Sequence, residues 1–290
     1  MTDGDRPAGD RAAGDRVPGE AVAGFAGDPR LRGLLEVSPV WHGLDHHAAV
    51  GSTQDLALEQ LRAGARPGVI VVADAQTAGR GRRGRTWRDA VVGPDGPANL
   101  AVTATAAVPG GGTGPAAGLV PFAAGLAVAD AYAALGADPQ LKWPNDVLLD
   151  DRKAAGILVE RHTVAGADVL LIGCGLDLDW RGVDRAGDAA AWTSLAEAID
   201  GPVDRVGVLI ALLTGLGRYL TRLDAGPDQV LSIYRQRCDT IGRRVRVALP
   251  GGRERSGVAG GLGSDGRLLV DGDDGAFEVT VGDVAHLRTG

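Results

Sequence analysis

Short runs of β-branched and other apolar residues alternate along this chain with longer segments in which apolar residues recur at helical spacing. The short runs predict strands at residues 69–73, 99–108, 147–149, 157–159 and 169–179. The helical pattern predicts helices beginning near residue 53 and at residues 116–135, 191–199, 203–223 and 228–237. The larger part of the chain is therefore predicted to mix strands with helices.

The pattern changes at both ends. Beyond residue 240, short alternating strands at residues 243–249, 257–262, 267–270 and 276–281 are separated by Asp- and Gly-rich turns, which predicts a small barrel. Residues 1–28 repeat Gly-Asp-Arg without apolar periodicity, which predicts a disordered tail. We expect a tail over residues 1–35, a large domain over 36–238 and a small domain over 239–290.

Composition narrows the function classes. The formal net charge of −7 argues against general nucleic-acid or anionic-membrane binding. Residues 116–135 are almost long enough to span a bilayer, but Pro121 and Asp130 favour a core helix. The two cysteines lie far apart in sequence without metal-ligand spacing, which predicts free thiols in a reducing, cytoplasmic compartment. Three histidines that lie close together in sequence likewise lack the pattern of a metal site: His42, His46 and His47.

A loop rich in arginine and glycine, residues 75–87, follows the predicted strand at 69–73. Its glycines allow close backbone approach and its arginines supply forked donors, which suits a polyanionic ligand. The spacing Gly79-x-Gly81-x-x-Gly84 also matches a dinucleotide fingerprint, but the residues that follow do not resemble the helix that this fingerprint requires. RNA binding and a solvated surface loop without a ligand remain open alternatives.

Two further segments carry candidate chemistry. Ser52 or Thr53 is predicted to cap a helix, or else to offer its hydroxyl to a polar head group. Of thirty basic residues only Lys142 and Lys153 are lysines, and they lie close in sequence to Asn145, one of two asparagines. We infer that the segment around residues 142–153 requires these side-chain types. Asn145 and its neighbour Asp146 stand in a predicted turn, where they can hold the backbone or coordinate Mg²⁺.

Three motifs, in this order, resemble the biotin protein ligases: Gly-Arg-Gly-Arg-Arg-Gly-Arg-Thr-Trp at 79–87, Lys-Trp-Pro-Asn-Asp at 142–146 and Lys-Ala-Ala-Gly-Ile-Leu-Val-Glu at 153–160. The resemblance covers the chain from about residue 38 and points to the form without an N-terminal DNA-binding domain. It implies the α/β (α+β) fold class, with a mixed-sheet catalytic domain and an SH3-like C-terminal barrel. It also implies ATP-dependent formation of biotinyl-5′-AMP and transfer of biotin to a carrier lysine.

The same resemblance implies roles for individual residues. It assigns catalysis to Lys153 and Arg82, and it assigns contact with biotin or the adenylate to these two and to Ser52, Thr53, Gln54, Gln76, Arg80 and Gly81. The nucleotide side is expected to involve Trp87, Asn145, Asp146 and Asp177. Gln54 stands where the family usually has asparagine, and Asp177 replaces an asparagine near the nucleotide, where its charge would weaken ATP binding unless it is offset.

The expected substrates are biotin and ATP with Mg²⁺; no dedicated metal site is expected, although Asp146 is a candidate Mg²⁺ ligand. The expected partner is a biotin carboxyl carrier protein or domain of an acyl-CoA carboxylase, without nucleic acid or membrane, and the enzyme is expected to be a monomer or weak homodimer. The alternatives are a lipoate- or octanoate-type protein ligase, which shares the adenylating logic, and a nonenzymatic RNA-binding protein.

Overall fold

A mixed sheet of seven strands forms the centre of the larger domain in the computed structural model. The structure describes residues 25–87, 92–93, 96–112, 115–183, 191–249, 252–280 and 282–287, so the tail predicted for residues 1–24 lies outside the described residues. The strand order is β1-β2-β5-β9-β8-β7-β6, with β1 and β2 parallel and every other neighbouring pair antiparallel. The strands are β1 Gly43–His47, β2 Val69–Ala73, β5 Asn99–Ala107, β6 Gln140–Lys142, β7 Asp146–Leu149, β8 Arg152–Val164 and β9 Ala167–Asp177, and a separate short hairpin consists of β3 Val92–Gly93 and β4 Gly96–Pro97.

Helices cover both faces of this sheet. They are α1 Pro29–Val37, α2 Thr53–Arg62, α3 Val120–Ala133, α4 Leu195–Ile199, α5 Arg205–Ala225 and α6 Pro227–Arg237. Because side chains alternate along a strand, Ile70 and Val72 of β2 join the main core with α3 and α5, whereas Val71 packs with Ala57 and Leu61 of α2. The mixed sheet between helical layers confirms the predicted α/β fold class.

Several predicted boundaries differ from the structure. The predicted tail extended to residue 35, but α1 begins at Pro29 after an Asp28 cap and buries Leu31 in the core. The predicted helix over 116–135 begins as a 3₁₀ turn and becomes α-helical only at Val120. The helix predicted from residue 191 begins at Leu195, because Ser194 and Glu197 form a capping box there.

Within the described residues, one helix is long and apolar enough to cross a membrane by length and composition, and it is α5 rather than the segment at residues 116–135. In its most apolar window 56% of the helix is buried inside the protein. Leu209, Leu212, Leu213 and Leu216 lie in the main core, as expected for a core helix.

The smaller domain is an antiparallel sheet of five strands in the order β13-β12-β11-β10-β14. These strands are β10 Arg244–Ala248, β11 Glu254–Leu262, β12 Leu268–Gly272, β13 Phe277–Val279 and β14 Asp283–His286, the last of which the sequence pattern did not indicate. The indole Nε1 of Trp143 donates to the carbonyl of Gly266 at 2.9 Å, which ties this domain to the β6–β7 connection.

Candidate active site

A cavity of about 110 Å³ opens above the central strands β5, β8 and β9. The start of α2 closes one end, and the arginine loop, residues 76–87, crosses the opening. Ten of the predicted site residues line this cavity: Ser52, Thr53, Gln54, Gln76, Arg80, Gly81, Arg82, Trp87, Asn145 and Lys153. Asp146 and Asp177 do not line it.

The end of the cavity beside α2 is polar. Thr53 donates from both its backbone N–H and its hydroxyl to Gln76 Oε1, at 2.8 and 3.0 Å, and accepts from the Thr103 hydroxyl at 2.9 Å. Ser52 is the N-cap of α2, with its hydroxyl 3.5 Å from the Asp55 N–H. Ser52 therefore acts as a cap, whereas the Thr53 hydroxyl belongs to a buried network that faces the cavity.

Gln54 presents an acceptor at the same end. Its Nε2 donates to the Leu158 carbonyl at 2.9 Å, which fixes the orientation of the amide. Gln54 is 4% exposed, and among the described residues its Oε1 has no hydrogen-bond partner. A buried acceptor in a cavity wall is costly unless a ligand donates to it, so this atom favours a ligand with N–H groups.

Glycines of β8 and β9 form the floor of the cavity. A Cβ on Gly175 would lie 2.3 Å from Trp87, and one on Gly156, its partner across the two strands, would lie 2.8 Å from the same indole. A Cβ on Gly173 would lie 2.8 Å from Gln54 Nε2. The absence of side chains here lets Trp87 lie directly on the sheet.

Trp87 belongs to a row of three indoles. Its ring centroid lies 5.4 Å from that of Trp192, which lies 5.9 Å from that of Trp180. Trp192 lines the cavity and forms an isolated bridge with Lys153. Trp192 and Trp180 were not among the predicted site residues, although tryptophan is rare in the chain and three of its five copies meet here.

Lys153 lies next to these rings. Its Nζ is 2.7 Å from Asp146 Oδ1, and 5.2 and 5.6 Å from the ring centroids of Trp87 and Trp192. The tight turn between β7 and β8, with Asp150 and Asp151 in the left-handed region, places Lys153 at the head of the hairpin as predicted. The carboxylate and the two π faces hold the ammonium in place beside the cavity.

The arginine loop is not the start of a long helix, since it holds only a 3₁₀ turn, Arg82–Gly84, so the dinucleotide interpretation lacks its helix. Arg80 forms ion pairs with Asp55 of α2 and Glu160 of β8, and these raise its pKa above the ordinary value. Arg82 Nη1 donates to Asn145 Oδ1 at 2.9 Å, while Asn145 Nδ2 donates to the Ile157 carbonyl at 2.8 Å. Burial lowers the pKa of Arg82, although at an arginine's high pKa the group stays charged.

Asp177 lies at the end of β9 opposite Asn99 and is fully buried. It lies two residues beyond Gly175 on the same strand and does not line the cavity, and its expected place on the nucleotide side stays a prediction. Cys174 lines the cavity, but burial raises the pKa of its thiol to about 12, which keeps it protonated and unreactive near neutral pH.

No group of three or more His, Cys, Asp or Glu residues with metal-binding geometry occurs within the described part of the chain. Lys142 lies on β6 and does not line the cavity, unlike Lys153. Of the two lysines that the sequence singled out, Lys153 lies at the candidate site and Lys142 lies outside it.

Comparison with known proteins identifies the class. Residues 48–177 match the biotin/lipoate A/B protein ligase family, and residues 240–287 match the biotin protein ligase C-terminal domain. The chain is 36% identical over 264 residues to the biotin–[acetyl-CoA-carboxylase] ligase of Mycobacterium tuberculosis, with 88% of this chain and 93% of that protein covered. It is 32% identical over 245 residues to the enzyme of the same name from Paracoccus denitrificans, with 82% and 98% covered.

A solved structure of a biotin protein ligase from Aquifex aeolicus, in complex with biotin and ATP, has the same fold, with a TM-score of 0.69 and 24% identity over 86% of this chain and all of that one. The two domains and the cavity thus define an α/β ligase with a C-terminal β domain. The chain belongs to the biotin protein ligase family, which confirms the resemblance seen in the sequence.

Proposed function

We propose that this protein is an ATP-dependent ligase that activates biotin as biotinyl-5′-AMP and transfers it to a lysine of a biotin carboxyl carrier protein or domain. The observation that carries the proposal is the polarity of the cavity along its length. One end offers the hydroxyl and amide groups of Thr53, Gln54 and Gln76, and the other offers Lys153 beside two indoles. A cyclic urea fits the first end and an adenylate the second.

The polar end favours biotin over lipoate. The ureido ring of biotin has two N–H donors and one carbonyl acceptor, whereas a dithiolane ring or an alkyl chain has none of these groups. Either of those ligands would leave Gln54 Oε1 buried without a donor. A site built to hydrogen-bond its substrate discriminates strongly against an analogue that lacks the partner groups.

In the first step a carboxylate oxygen of biotin attacks the α-phosphorus of ATP; the new P–O bond replaces the bond to the β-phosphate, and pyrophosphate leaves. Two anions must approach each other, so we propose that Lys153 Nζ and the Arg82 guanidinium stabilise the charge that they share. Mg²⁺ would accompany ATP and neutralise charge on its phosphates. Asp146 Oδ1 is 2.7 Å from Lys153, so in this arrangement it orients the lysine, and its role as a Mg²⁺ ligand stays a prediction.

In the second step the neutral amine of the carrier lysine attacks the acyl carbon, the C–O bond to the phosphate breaks, and AMP leaves as the amine loses a proton. Water must be kept from the mixed anhydride until then. We propose that the arginine loop excludes it, and that Trp87 and Trp192, which pack against each other with ring centroids 5.4 Å apart, form one wall against which the adenine lies. Asp146 is the candidate general base.

The acceptor lysine needs a path to this centre. A second cavity, of about 240 Å³, shares Arg82, Asn145, Ile157 and Leu158 with the first and is also lined by Arg267 of the small domain. We propose that the carrier lysine enters through it. Gly118→Phe, which fills this second cavity, should raise KM for the carrier and spare pyrophosphate exchange, whereas Gly118→Ala should change neither.

Biotin-dependent ATP–pyrophosphate exchange tests the proposal as a whole, with lipoate and octanoate as competing substrates. Gln54→Leu keeps the approximate size and removes the acceptor, so KM for biotin should rise about 5- to 150-fold, as expected when a buried hydrogen bond is lost. Exchange supported equally by lipoate, or unaffected by this substitution, would contradict the assignment of the polar end.

The acidic net charge of −7 supports the related proposal that the enzyme acts in the cytoplasm without nucleic acid or membrane. We also propose a monomer or weak homodimer. Sedimentation across a range of protein concentrations measures that equilibrium directly.

A further inference from the structure

Among the ion pairs of the described residues, those between the arginine loop and the small domain meet at one carboxylate, that of Asp283. Arg85 Nη2 lies 2.9 Å from Asp283 Oδ1, and Arg83 Nη1 lies 3.3 Å from Asp283 Oδ2. Each carboxylate oxygen thus receives one guanidinium. Asp283 is the first residue of β14 and pairs with Ala248 of β10, so the carboxylate is presented by a strand rather than by a free loop.

Arg83 lies within the turn that begins at Arg82, and Arg85 follows directly after that turn. Arg83 and Gly84 lie in the left-handed region, with φ of 58° and 73°, which reverses the chain between the two guanidinium groups. Arg82, at the start of the turn, is directed instead to Asn145 at the cavity. Fixing Arg83 and Arg85 on the small domain therefore fixes the turn in the orientation that directs Arg82 inward.

The other end of the loop is held independently. Arg80 is paired with Asp55 and Glu160, both of the large domain, and the Trp87 N–H donates to the Gly79 carbonyl at 2.9 Å. The loop is thus fastened at one end to the domain that forms the cavity and in its middle to the other domain. Only the contact with Asp283 couples the loop's turn to the position of the small domain, among the ion pairs of the described residues.

We infer that Asp283 is a positioning residue that clasps the arginine loop closed, so that the small domain sets how long the acyl-adenylate stays bound. The inference rests on the proposed function for its kinetic consequence, but the clasp itself is a structural contact. Asp283 touches neither substrate nor reacting atoms; it acts through Arg83 and Arg85.

The expected effect is moderate. The side chains of Asp283, Arg83 and Arg85 are 37%, 36% and 61% exposed, and exposed ion pairs each change an equilibrium by up to about fivefold. Two pairs on one carboxylate should together slow loop opening about 3- to 10-fold. Because salt screens exposed charges, this advantage should fade as ionic strength rises towards about 1 M.

The chain offers a matched control. Asp273 is another exposed carboxylate of the small domain, 2.6 Å from Arg244, and its partner belongs to the same domain. Asp283→Asn and Asp273→Asn therefore remove the same charge from the same sheet, and only the first should affect the loop. Asp283→Glu, which keeps the charge, should restore most of the wild-type behaviour.

Two readouts test the clasp in the full-length protein. Release of preformed acyl-adenylate, followed by a chase with unlabelled biotin and ATP, should be about 3- to 10-fold faster for Asp283→Asn at low salt and unchanged for Asp273→Asn. Limited digestion with trypsin in the absence of ligands should cut after Arg83 or Arg85 faster in Asp283→Asn, since a guanidinium held by Asp283 cannot enter the protease.

The two readouts separate the inference from the proposed function. If the wild-type protein forms no adenylate, the proposed function fails while the digestion rates still test the clasp. Equal digestion of Asp283→Asn and Asp273→Asn, with thermal unfolding showing both folded, would overturn the clasp even if biotinylation proceeds. Additive effects of Asp283→Asn and Arg85→Gln would also overturn it, because members of one contact are coupled.

Discussion

Replacing Gly175 with alanine should separate Trp87 from Trp192 without removing any functional group. The new Cβ would lie 2.3 Å from Trp87 Cε2 and 2.5 Å from Cζ2. Carbon atoms in contact settle at about 3.5–4.0 Å, so the indole has to move away from the sheet by about 1 Å or more. The clash cannot be relieved by rotating the flexible end of a side chain, because the atoms that clash belong to the rigid indole ring.

The cost follows from what the indole touches. An adenine that lies against the displaced indole would lose an aromatic contact worth about 0.5–1.5 kcal/mol beyond burial, which corresponds to about 2- to 13-fold in affinity. We therefore expect KM for ATP to rise by about this factor in pyrophosphate exchange, with little change in KM for biotin. A shift in intrinsic tryptophan fluorescence should accompany it.

Two other glycines of the same sheet, Gly173 and Gly43, serve as comparisons for this test. Gly173→Ala would press on Gln54 Nε2 at 2.8 Å, so it should raise KM for biotin rather than for ATP. Gly43→Ala, on β1 of the same sheet, would meet only Val69 at 3.9 Å and should change neither constant. Equal effects of Gly173→Ala and Gly175→Ala on the two substrates would refute the division of the cavity into a biotin end and a nucleotide end.

Three further predictions follow from the cavity and the domain boundary. Lys153→Arg should abolish most pyrophosphate exchange, because a planar fork does not replace a compact ammonium held 2.7 Å from Asp146, whereas Lys142→Arg should retain it; near-normal exchange by Lys153→Arg would show that the ammonium is not required. Arg82→Gly removes the charged hydrogen bond to Asn145 and should speed adenylate release about tenfold or more in a chase experiment, and an unchanged rate would mean that Arg82 does not hold the intermediate. Burial and the charge of Lys142 lower the pKa of His286 from 6.5 to about 4, so the unfolded chain binds the proton more readily and stability should fall as pH drops from about 6.5 to 4, by about 2 kcal/mol at pH 4.5. Urea unfolding at pH 7 and 4.5 measures that loss, which His286→Gln should largely remove.

The elements of the large domain could be predicted where one local pattern determined them. The apolar run at Val69–Ala73 and the hairpin around Lys153 are examples, since strand periodicity and turn residues act over a few positions. Boundaries that depend on a cap were less predictable. Ser194 stops α4 from extending back to residue 191, and this keeps Trp192 in an extended segment beside Lys153.

Six of the ten predicted residues that line the cavity lie within the three motifs and the other four were implied by the resemblance, but the arrangement of the ten could not be predicted. The motifs identify Arg82 and Asn145, whereas only the fold shows that they contact each other across 63 residues of sequence. Asp177 was expected on the nucleotide side, which stays a prediction; the strand register places it opposite Asn99, where it is fully buried. A register is a property of two strands together, so neither strand's sequence states it alone.

Lysine and asparagine are rare in this chain, and three of their four copies lie within the motifs, whereas Asn99 lies outside them. A rare residue type can be required at a position for either of two reasons: it forms part of the site, or it serves the structure elsewhere. Only the structure distinguishes these two reasons. Lys153 lies at the cavity, whereas Lys142 lies outside it on β6. Asn145 is bound to Arg82, whereas Asn99 is fully buried and accepts from the Trp180 indole at 2.6 Å. Since Trp180 in turn packs against Trp192, the buried asparagine supports the same aromatic row against which the adenine is proposed to lie. The rare asparagines therefore include one residue at the cavity, Asn145, and one residue that supports the aromatic row beside it, Asn99.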